Sequence, residues 1–406
     1  MKLRTHRRKG LLVVAVFLLI LMFAGVLVWY FASSLHQGTT SKTQTNVTVK
    51  AEPKPVSLKS NSLFTGNTFW GRNINQWSMA SDLKTAYPFS RLSEFHRDQY
   101  DAWVTGLECP TVAGFSQTVA QEEATLSFNC SPDYLPEAAK WFTAVSLANN
   151  HTDNRGAEGF AETKQQLDKN KIQYFGNYNP EVLEDACDVL SYPVTVSYDD
   201  GSVKKQSLPV ALCGYHGVFK TPSQASLAQM EKYSKLMPVI AMPHSGAEYT
   251  AAPDQIKMTS YRSMIDHGAD MVLGDHSHWV QSTEAYNGKL IVYSMGNFIF
   301  DQQGTTEVTR SGTIRVLMSS DSTSSDSLNK WLALGEKCAS YHDTCLQEAE
   351  DEKLEKLSLK FAFGVVGTNS ANKITKPATA AEQTAIEQRM LWSSTMSQLK
   401  APYGSL

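Results

Sequence analysis

Short runs of apolar and β-branched residues recur between residues 101 and 301, and each stops at side chains that bind metals or transfer protons. The runs and their terminal polar residues are DAWVTGLECP with Glu108, FTAVSLANNH with Asn150 and His151, MPVIAMPHSG with His244, MVLGDHSH with His276 and His278, and KLIVYSMGNFIFD with Asn297 and Asp301. Short apolar runs bounded by turn-forming residues predict buried strands.

Amphipathic helices are predicted between several of these strands. One covers residues 157–170 (AEGFAETKQQLDKN) and another covers residues 255–268 (QIKMTSYRSMIDHG). Strands that alternate with helices predict an α/β fold with a mixed or parallel sheet. Ligands of such sheets bind beyond the carboxyl ends of the strands, so we expect the polar residues to form one constellation there.

The stretch GDHSH places two histidines one residue apart. In an extended chain positions i and i+2 point the same way, so His276 and His278 are expected to converge on one point. Asp275 would then point to the opposite side, and it is not counted as a ligand.

Composition narrows the possible partners. The chain has 406 residues, is 42% hydrophobic and carries a formal net charge of -3, which argues against nucleic acid as the main partner. Five Lys and Arg residues lie in residues 1–10, and residues 11–32 carry no charge. That uncharged run is long enough to span a bilayer, and the positive-inside rule leaves the N-terminus in the cytoplasm and the rest outside. A cleaved signal peptide, with FASS as its small-residue site, is the alternative.

Residues 33–61 are polar, contain prolines and show no apolar period, so they are predicted to form a flexible extracellular stalk. The six cysteines fit an exported protein, because disulfides persist outside the membrane. Their pairing cannot be deduced from the sequence. The pair in CASYHDTC can bridge only if the chain turns between the two cysteines.

Each polar residue, taken singly, has an ordinary explanation. A lone histidine such as His244 or a lone carboxylate such as Glu108 is more often a surface residue than a ligand, and ANNH by itself fits a turn. Together, imidazole, carboxylate and amide oxygens are the mixed ligand set that a pair of divalent transition metals accepts. Such a pair can hold a bridging hydroxide and a phosphate or carbonyl oxygen.

Four motifs carry a family resemblance: GLECPTV, SLANNHTDNRGAEGFAETKQQLDKNKIQYFG, PHSGAEYT and GADMVLGDHSHWVQSTEAYNGKLIVYSMGNFIF. They resemble the bacterial CapA family of capsule synthesis proteins over residues 62–318, in order and in spacing. The resemblance implies a calcineurin-like metallophosphatase fold, an α-β-β-α sandwich, here carried on an N-terminal transmembrane helix. It also implies a link to poly-γ-glutamate.

The same resemblance implies roles for the site residues. Glu108 would bridge two metals, Asn150 would be a ligand amide, and His151 would be the proton donor or would stabilise the transition state. His244 and His276 would complete one metal site, and His278 would serve the other. Glu248 would contact the substrate or support a ligand. The metals would be divalent Mn, Zn or Fe.

One position departs from the family pattern. The family block begins Gly-Asp, with the Asp as a metal ligand, whereas this chain has Asn67 there and Phe69 two residues later. The first metal would keep Asn67, Glu108 and His278 as ligands, and an amide binds a hard cation more weakly than a carboxylate. One position of the two-metal site is therefore expected to be weakened. Arg72 in the same block is a candidate anion contact.

Residues 319–406 lie beyond the resemblance and are predicted to be a C-terminal extension packed on the domain. SSDSTSSDS at 319–327 is predicted to be a loop, followed by a helical hairpin around LNKWLALGEKC and EAEDEKLEKL. KLSLKFAFGVV alternates like a strand that returns to the main sheet, and residues 379–400 are predicted to be a closing helix. No chemistry is assigned to this part.

Three functional hypotheses remain. The chain acts in the synthesis, export or release of an anionic polymer such as poly-γ-glutamate, beside membrane-embedded synthesis or export proteins. It is a metal-dependent hydrolase for a phosphoester or a γ-glutamyl amide, within that system or unrelated to a capsule. It is a polymer-binding scaffold with a degenerate metal site. The predicted location for all three is the cell membrane, as a single-pass protein with its C-terminal domain outside.

Overall fold

The computed structural model describes residues 52–321, 325–338 and 342–406. Residues Pro53–Leu406 form one unit by their internal contacts. The predicted transmembrane run at 11–32 and most of the predicted stalk lie outside the described residues. In the described part of the chain, no helix is both long enough and apolar enough to cross a membrane.

The strands form a mixed sheet. Their bounds are β1 Pro55–Thr68, β2 Ala102–Leu107, β3 Ala144–Ser146, β4 Gln173–Phe175, β5 Cys187–Tyr198, β6 Val203–Gly217, β7 Val239–Ser245, β8 Met271–Leu273, β9 Thr283–Tyr286, β10 Lys289–Val292, β11 Asn297–Ile299, β12 Arg310–Asp321, β13 Lys360–Asn369, β14 Lys376–Pro377 and β15 Tyr403–Ser405. The predicted α/β class is confirmed in this coarse form.

The helices connect these strands and cover them. Their bounds are α1 Arg72–Ala80, α2 Val119–Thr125, α3 Leu135–Ala138, α4 Gly156–Lys169, α5 Gln224–Ser234, α6 Gln255–Asp266, α7 Thr306–Thr309, α8 Ser325–Cys338, α9 His342–Asp351, α10 Ala380–Arg389 and α11 Trp392–Met396. Short 3-10 helices lie at Lys84–Phe89, Leu92–Phe95, Arg97–Gln99 and Pro132–Tyr134. The predicted helices at 157–170 and 255–268 are confirmed as α4 and α6.

The long first strand, β1, joins two groups of strands. Its first part pairs antiparallel with β5, and its last part, from Ser62 onward, pairs parallel with β2. On its other edge β1 pairs antiparallel with β12 and then parallel with β11. From β1 one path runs through β5, β6, β7, β8 and β10 to β9, a second runs through β2 and β3 to β4, and a third runs through β12 and β13 to β14.

Parallel pairing brings several carboxyl ends to one edge. Strands β1 to β4 are mutually parallel, and so are β6, β7, β8 and β10. The residues predicted to carry chemistry lie at or just beyond the carboxyl ends of β1, β2, β3, β7 and β8. The structure thus brings these residues to one edge of the sheet.

Two hydrophobic cores support this edge. One surrounds β5 to β8 and includes Tyr261 and Met271. The other is rich in aromatic residues and centres on Trp103, whose ring lies 6.1 Å from that of Phe298. These cores fix the strands from which the site residues project.

Several sequence boundaries need correction. The predicted stalk at 33–61 extends too far, because β1 already begins at Pro55 and pairs with both β5 and β12. Buried serines, such as Ser60 at 0% exposure, interrupt the apolar pattern, so the pattern did not predict this strand. The predicted single run at 289–301 divides into β10 and β11.

The C-terminal predictions are confirmed in part. The first helix of the hairpin is α8, but the second, α9, ends at Asp351, so only 348–351 of the predicted EAEDEKLEKL stretch is helical; the alternating strand is β13, which pairs with β12. The closing helix is two helices, α10 and α11, separated at Leu391, which has a φ of 55°. Of the predicted loop at 319–327, its first residues extend β12, its last begin α8, and 322–324 lie outside the described residues.

Candidate metal centre

The imidazole of His244 has three polar side-chain atoms close to one of its ring nitrogens. Its Nε2 atom lies 2.8 Å from Asn150 Oδ1, 3.1 Å from Asn149 Nδ2 and 3.0 Å from His276 Nδ1. A ring nitrogen has either one N–H or one lone pair in the ring plane, so it can bond only one of these three atoms well. Three polar atoms are thus held within hydrogen-bonding distance of one ring nitrogen.

The imidazole of His278 is oriented from one side and open on the other. Its Nδ1 atom lies 2.8 Å from Asn297 Oδ1 and 3.1 Å from Asn67 Nδ2. A carbonyl oxygen can only accept, so Nδ1 carries the proton when it bonds Asn297. Nε2 then presents its lone pair toward Glu108 Oε1 at 3.6 Å and Glu248 Oε1 at 3.9 Å. Metal-bound histidines are held by their other ring nitrogen in this way.

The two histidines of GDHSH reach the site through an unusual backbone. The expectation of an extended segment is wrong: His276 has a φ of 88° and His278 a φ of 57°. Non-glycine residues seldom adopt this left-handed region, and such strain clusters at functional sites. The two rings still converge, with centroids 6.2 Å apart.

Burial determines the charges of the site. Burial lowers the pKa of His278 to about 4 and that of His244 well below its ordinary value, and neighbouring imidazoles add to the effect on His244. Burial also raises the pKa of the Glu108 carboxyl well above its ordinary value, and the charges of Asp275 and Glu248 act in the same direction. The imidazoles are therefore neutral at pH 7, with lone pairs available to a cation.

The donor set fits a divalent metal. Two nitrogens that bind one ion at about 2.1 Å lie roughly 3.0 Å apart at an octahedral angle and roughly 3.4 Å apart at a tetrahedral one, so the separation of His244 and His276 suits a shared ion. Glu108 Oε2 is buried and has no hydrogen-bond partner in the described part of the chain. Within that part, no three His, Cys, Asp or Glu side chains already form a metal-binding group. The imidazole nitrogens and amide oxygens of the cluster contact one another at hydrogen-bonding distances, and they are the types of atom that bind divalent metals.

Asn67 supports the histidine loop. It is fully buried on β1, and its side chain contacts His278 Nδ1 and, at 3.4 Å, the backbone N–H of His276. The first of these contacts is on the Nδ1 edge of His278, whereas Glu108 faces the Nε2 edge. The structure thus places Asn67 in the constellation as a contact of both histidines.

Asp275 lies beneath the site. Its Oδ1 atom accepts the backbone N–H of His276 at 2.9 Å, and its Oδ2 atom faces Gly106 without a partner in the described structure. A Cβ added at Gly106 would lie 2.8 Å from that oxygen. Glycine at this point of β2 therefore makes room for the carboxylate.

His151 and Arg72 lie beside the cluster. The ring of His151 contacts Phe128 at a centroid distance of 4.4 Å, and its Nδ1 lies 3.1 Å from Asn154 Oδ1. The Arg72 guanidinium lies over Phe128 and makes two bonds to Asp301, at 2.7 and 3.0 Å. Its positive charge lowers the pKa of His151, after the larger effect of burial.

Glu248 occupies the open rim. Its side chain is 38% exposed, and the next residue, Tyr249, stacks on the ring of His278 at 5.4 Å. The backbone N–H of Tyr249 donates to Ser277 O at 2.9 Å. The loop that carries Glu248 is thereby attached to the loop that carries the histidines.

Three residues of this region were missed by the sequence analysis. Asn149 is buried against His244, and its Oδ1 accepts the backbone N–H of His151. His216 ends β6 directly beside His244, and the run LPVALCGYH shows the same strand-end pattern as the others. Lys257 is buried on α6, and a lysine within an amphipathic helix gives no signal of burial.

Three disulfides join the six cysteines: Cys109–Cys130, Cys187–Cys213 and Cys338–Cys345. The first follows Glu108 directly and fixes the end of β2. The third is the pair in CASYHDTC, whose bridge requires a turn, as the sequence indicated; its cysteines lie on α8 and α9.

Comparison with known proteins gives consistent results. Residues 61–302 match the family described as bacterial capsule synthesis protein PGA_cap. The PGA biosynthesis protein CapA of Bacillus subtilis (strain 168) is 31% identical over 176 residues, which cover 40% of this chain and 44% of that protein. The capsule biosynthesis protein CapA of Bacillus anthracis is 26% identical over 267 residues, which cover 62% and 63% of the two chains.

A probable polyglutamine synthesis accessory protein of Mycobacterium tuberculosis (strain CDC 1551 / Oshkosh) is 29% identical over 198 residues, covering 44% of this chain and 50% of that protein. The matches thus span between 44% and 63% of these relatives' lengths. A crystal structure of TT1561 of Thermus thermophilus aligns with 63% of this chain and 93% of its own at 11% identity, with a TM-score of 0.29. That score is too low to establish a shared fold.

Proposed function

This chain belongs to the bacterial capsule synthesis family PGA_cap, and on that premise we propose that it acts in the synthesis, export or release of a polymer of the poly-γ-glutamate type through a metal-dependent, hydrolase-like site. The observation that carries the proposal is the convergence of Asn150 Oδ1 and His276 Nδ1 on Nε2 of His244, at 2.8 and 3.0 Å. The names of the relatives from Bacillus support the choice of polymer.

The residues that would hold divalent Mn, Zn or Fe are Asn67, Glu108, Asn150, His244, His276 and His278. A bound metal would polarise the carbonyl or phosphoryl oxygen of the substrate and supply an activated water. The metallophosphatase-like α-β-β-α sandwich remains part of this proposal, supported by the two groups of strands that meet at β1.

The chain's own side chains supply the remaining steps. His151 is tied through Nδ1 to Asn154, so Nε2 is the atom that can exchange a proton with the leaving group. Glu248 is exposed at the rim and would contact the substrate there. Arg72 would attract an anionic group, although Asp301 already engages two of its nitrogens. Both a phosphoester and a γ-glutamyl amide develop negative charge on an oxygen, so both reactions suit the site.

The second candidate is a polymer-binding scaffold with a degenerate metal site. The contact between Asn67 and the Nδ1 edge of His278 favours it, because an amide here neutralises no cation. A third hypothesis, a phosphoesterase unrelated to a capsule, uses the same side chains. The metal measurement below separates the scaffold from the two hydrolases.

The proposed location is the outer side of the cell membrane. Three disulfides support an oxidising compartment, and the charge pattern of residues 1–32 supports a single N-terminal anchor. The proposed partners are the anionic polymer, membrane-embedded synthesis or export proteins, and the lipid bilayer.

The test is the metal content of the purified protein, measured by elemental analysis. We compare the wild type with a His276→Ala/His278→Ala double variant and with His267→Ala, a control histidine at the end of α6. Near-stoichiometric metal that is lost only in the double variant supports the hydrolase. A folded wild type that retains no metal after incubation with Mn²⁺ or Zn²⁺ overturns it and favours the scaffold.

A further inference from the structure

Lys257 is a buried lysine directly beneath the histidine loop. It lies on α6 at 2% exposure, and its Nζ atom lies 3.0 Å from Ser277 Oγ, 3.1 Å from Gln281 Oε1 and 3.3 Å from Asp275 O. All three acceptors are neutral oxygens, and all three belong to the segment that contains His276 and His278. Lysine is almost never fully buried unless it is paired, so this placement requires a reason.

We infer that Lys257 is a positioning residue for the candidate metal centre, which holds the loop at 274–281 in the backbone conformation that aims His276 and His278 at the other donor side chains. This inference rests on the proposed function insofar as the loop serves metal binding. The geometric part of it stands on the contacts alone.

The loop needs such support because its backbone is strained. His276 and His278 both have positive φ, and Ser277 lies between them. The Nζ contacts bracket this strained segment: one precedes His276, one lies between the histidines and one follows His278. Without them, the loop could relax toward an extended path and turn the imidazoles away.

The same side chain couples the histidine loop to the rim. Gln281, which accepts from Lys257, donates through Nε2 to Thr250 O and Thr250 Oγ1, both at 3.1 Å. Thr250 lies two residues after Glu248. Lys257 therefore fixes both the loop that carries the imidazoles and the loop that carries the rim carboxylate.

The stem of the lysine packs against a third part of the site. A Cβ added at Gly246 would lie 2.7 Å from Lys257 Cδ, and Gly246 has a φ of 98°. This glycine lies two residues after His244. The stem thus fills the space beside the end of β7.

The hydrogen bonding suits either protonation state of the amine. An ammonium group has three N–H donors for its three oxygen acceptors. A neutral amine has two N–H donors and a lone pair, which can accept the Ser277 hydroxyl hydrogen. The connection therefore does not depend on the charge of Lys257.

The test uses Lys257→Met, which keeps most of the length of the unbranched side chain and removes its N–H donors. The control is Lys289→Met. Lys289 lies on β10, its Nζ donates to Ala269 O at 2.7 Å, and it makes no described contact with the histidine loop. Co²⁺ affinity is measured by calorimetry, and the geometry of bound Co²⁺ by its visible spectrum. We expect Lys257→Met to bind Co²⁺ about 10- to 100-fold more weakly with an altered spectrum, and Lys289→Met to match the wild type.

A second readout separates this inference from the proposed function. The imidazole nitrogens of His276 and His278 are followed by ¹⁵N NMR in the metal-free protein. If the wild type binds no Co²⁺, the metal-dependent function fails, yet the positioning role still predicts shifted imidazole signals in Lys257→Met and unshifted ones in Lys289→Met. Wild-type Co²⁺ affinity, or unshifted signals, in folded Lys257→Met overturns the inference.

Two milder variants cover the case in which Lys257→Met does not fold. Ser277→Ala and Gln281→Leu each remove one acceptor of Lys257 while leaving the lysine in place. Each is expected to shift the same imidazole signals, and a bound Co²⁺ ion should be held less tightly. Unchanged signals in both variants overturn the inference.

Discussion

Nδ1 of His276 lies 3.0 Å from Nε2 of His244, and the two rings meet edge to face at a centroid distance of 4.6 Å. Burial lowers the pKa of both imidazoles, so both are neutral at pH 7. Two facing ring nitrogens can share a single proton, or both can present lone pairs to one cation. The predictions below follow from this relationship and from the residues that maintain it.

Divalent metal should stabilise the protein through His244. With Mn²⁺ or Zn²⁺ at about a hundred times its dissociation constant, the free energy of unfolding should rise by about 2.7 kcal/mol, because the ion binds only the folded chain. His244→Ala should abolish this gain, and His267→Ala should retain it. Thermal unfolding with metal and with a chelator measures the effect. Equal gains in both variants would show that the ion binds elsewhere.

Asn67→Asp should strengthen metal binding. A carboxylate beside His278 adds a negative charge to the donor set, so Mn²⁺ affinity should rise by about tenfold or more. Without metal, the uncompensated charge at this buried position should lower the free energy of unfolding by about 1–3 kcal/mol. Calorimetry and urea unfolding measure the two effects. The control is Asn129→Asp, at another buried asparagine, which should lower stability without raising Mn²⁺ affinity. If Asn67→Asp also lowers stability without raising Mn²⁺ affinity, position 67 is not a metal ligand.

Gly66→Ala should disrupt the contact between β1 and β11. A Cβ at this position would lie 1.8 Å from Gly296 O, and the neighbouring Asn67 N–H donates to that same oxygen at 3.0 Å. Because the clash is with backbone, it cannot be relieved by a side-chain rotation. The free energy of unfolding should fall by about 3 kcal/mol or more. Gly304→Ala, which has open space around it, should change stability by less than about 0.5 kcal/mol in the same urea experiment.

Stability should depend on pH through Lys257. Burial lowers the pKa of this lysine from 10.5 to about 7, while Asp275 and Asp254 act in the opposite direction. Between these two pH values the unfolded chain binds one proton more than the folded chain, so the free energy of unfolding should rise with pH. The slope should approach about 1.4 kcal/mol per pH unit, and Lys257→Met should lack this contribution. Parallel pH profiles of the two proteins would contradict the assignment.

The sequence predicted the parts of the site that depend on strand periodicity. Glu108 and His244 were identifiable because each follows an apolar run, and parallel pairing brings such ends together. The left-handed backbone of His276 and His278 was not predictable from the local sequence. It is accompanied by side-chain contacts from Asp275, which is adjacent, and from Asn67 and Lys257, which are distant in sequence. Asn149 was not predicted, because its neighbour Asn150 was already assigned as the ligand amide of the ANNH motif.

The pairing of β1 also affects how the chain folds. Phe64 pairs with Ile314, so β1, the first of the described strands, receives one of its neighbours only after about 250 further residues have been made. At usual synthesis rates this interval is about 10 to 50 s, during which one edge of β1 lacks its partner strand. Contacts so distant in sequence also slow folding. During synthesis, that edge of β1 therefore stays open to pairing with other chains until residues 310–321 have been made.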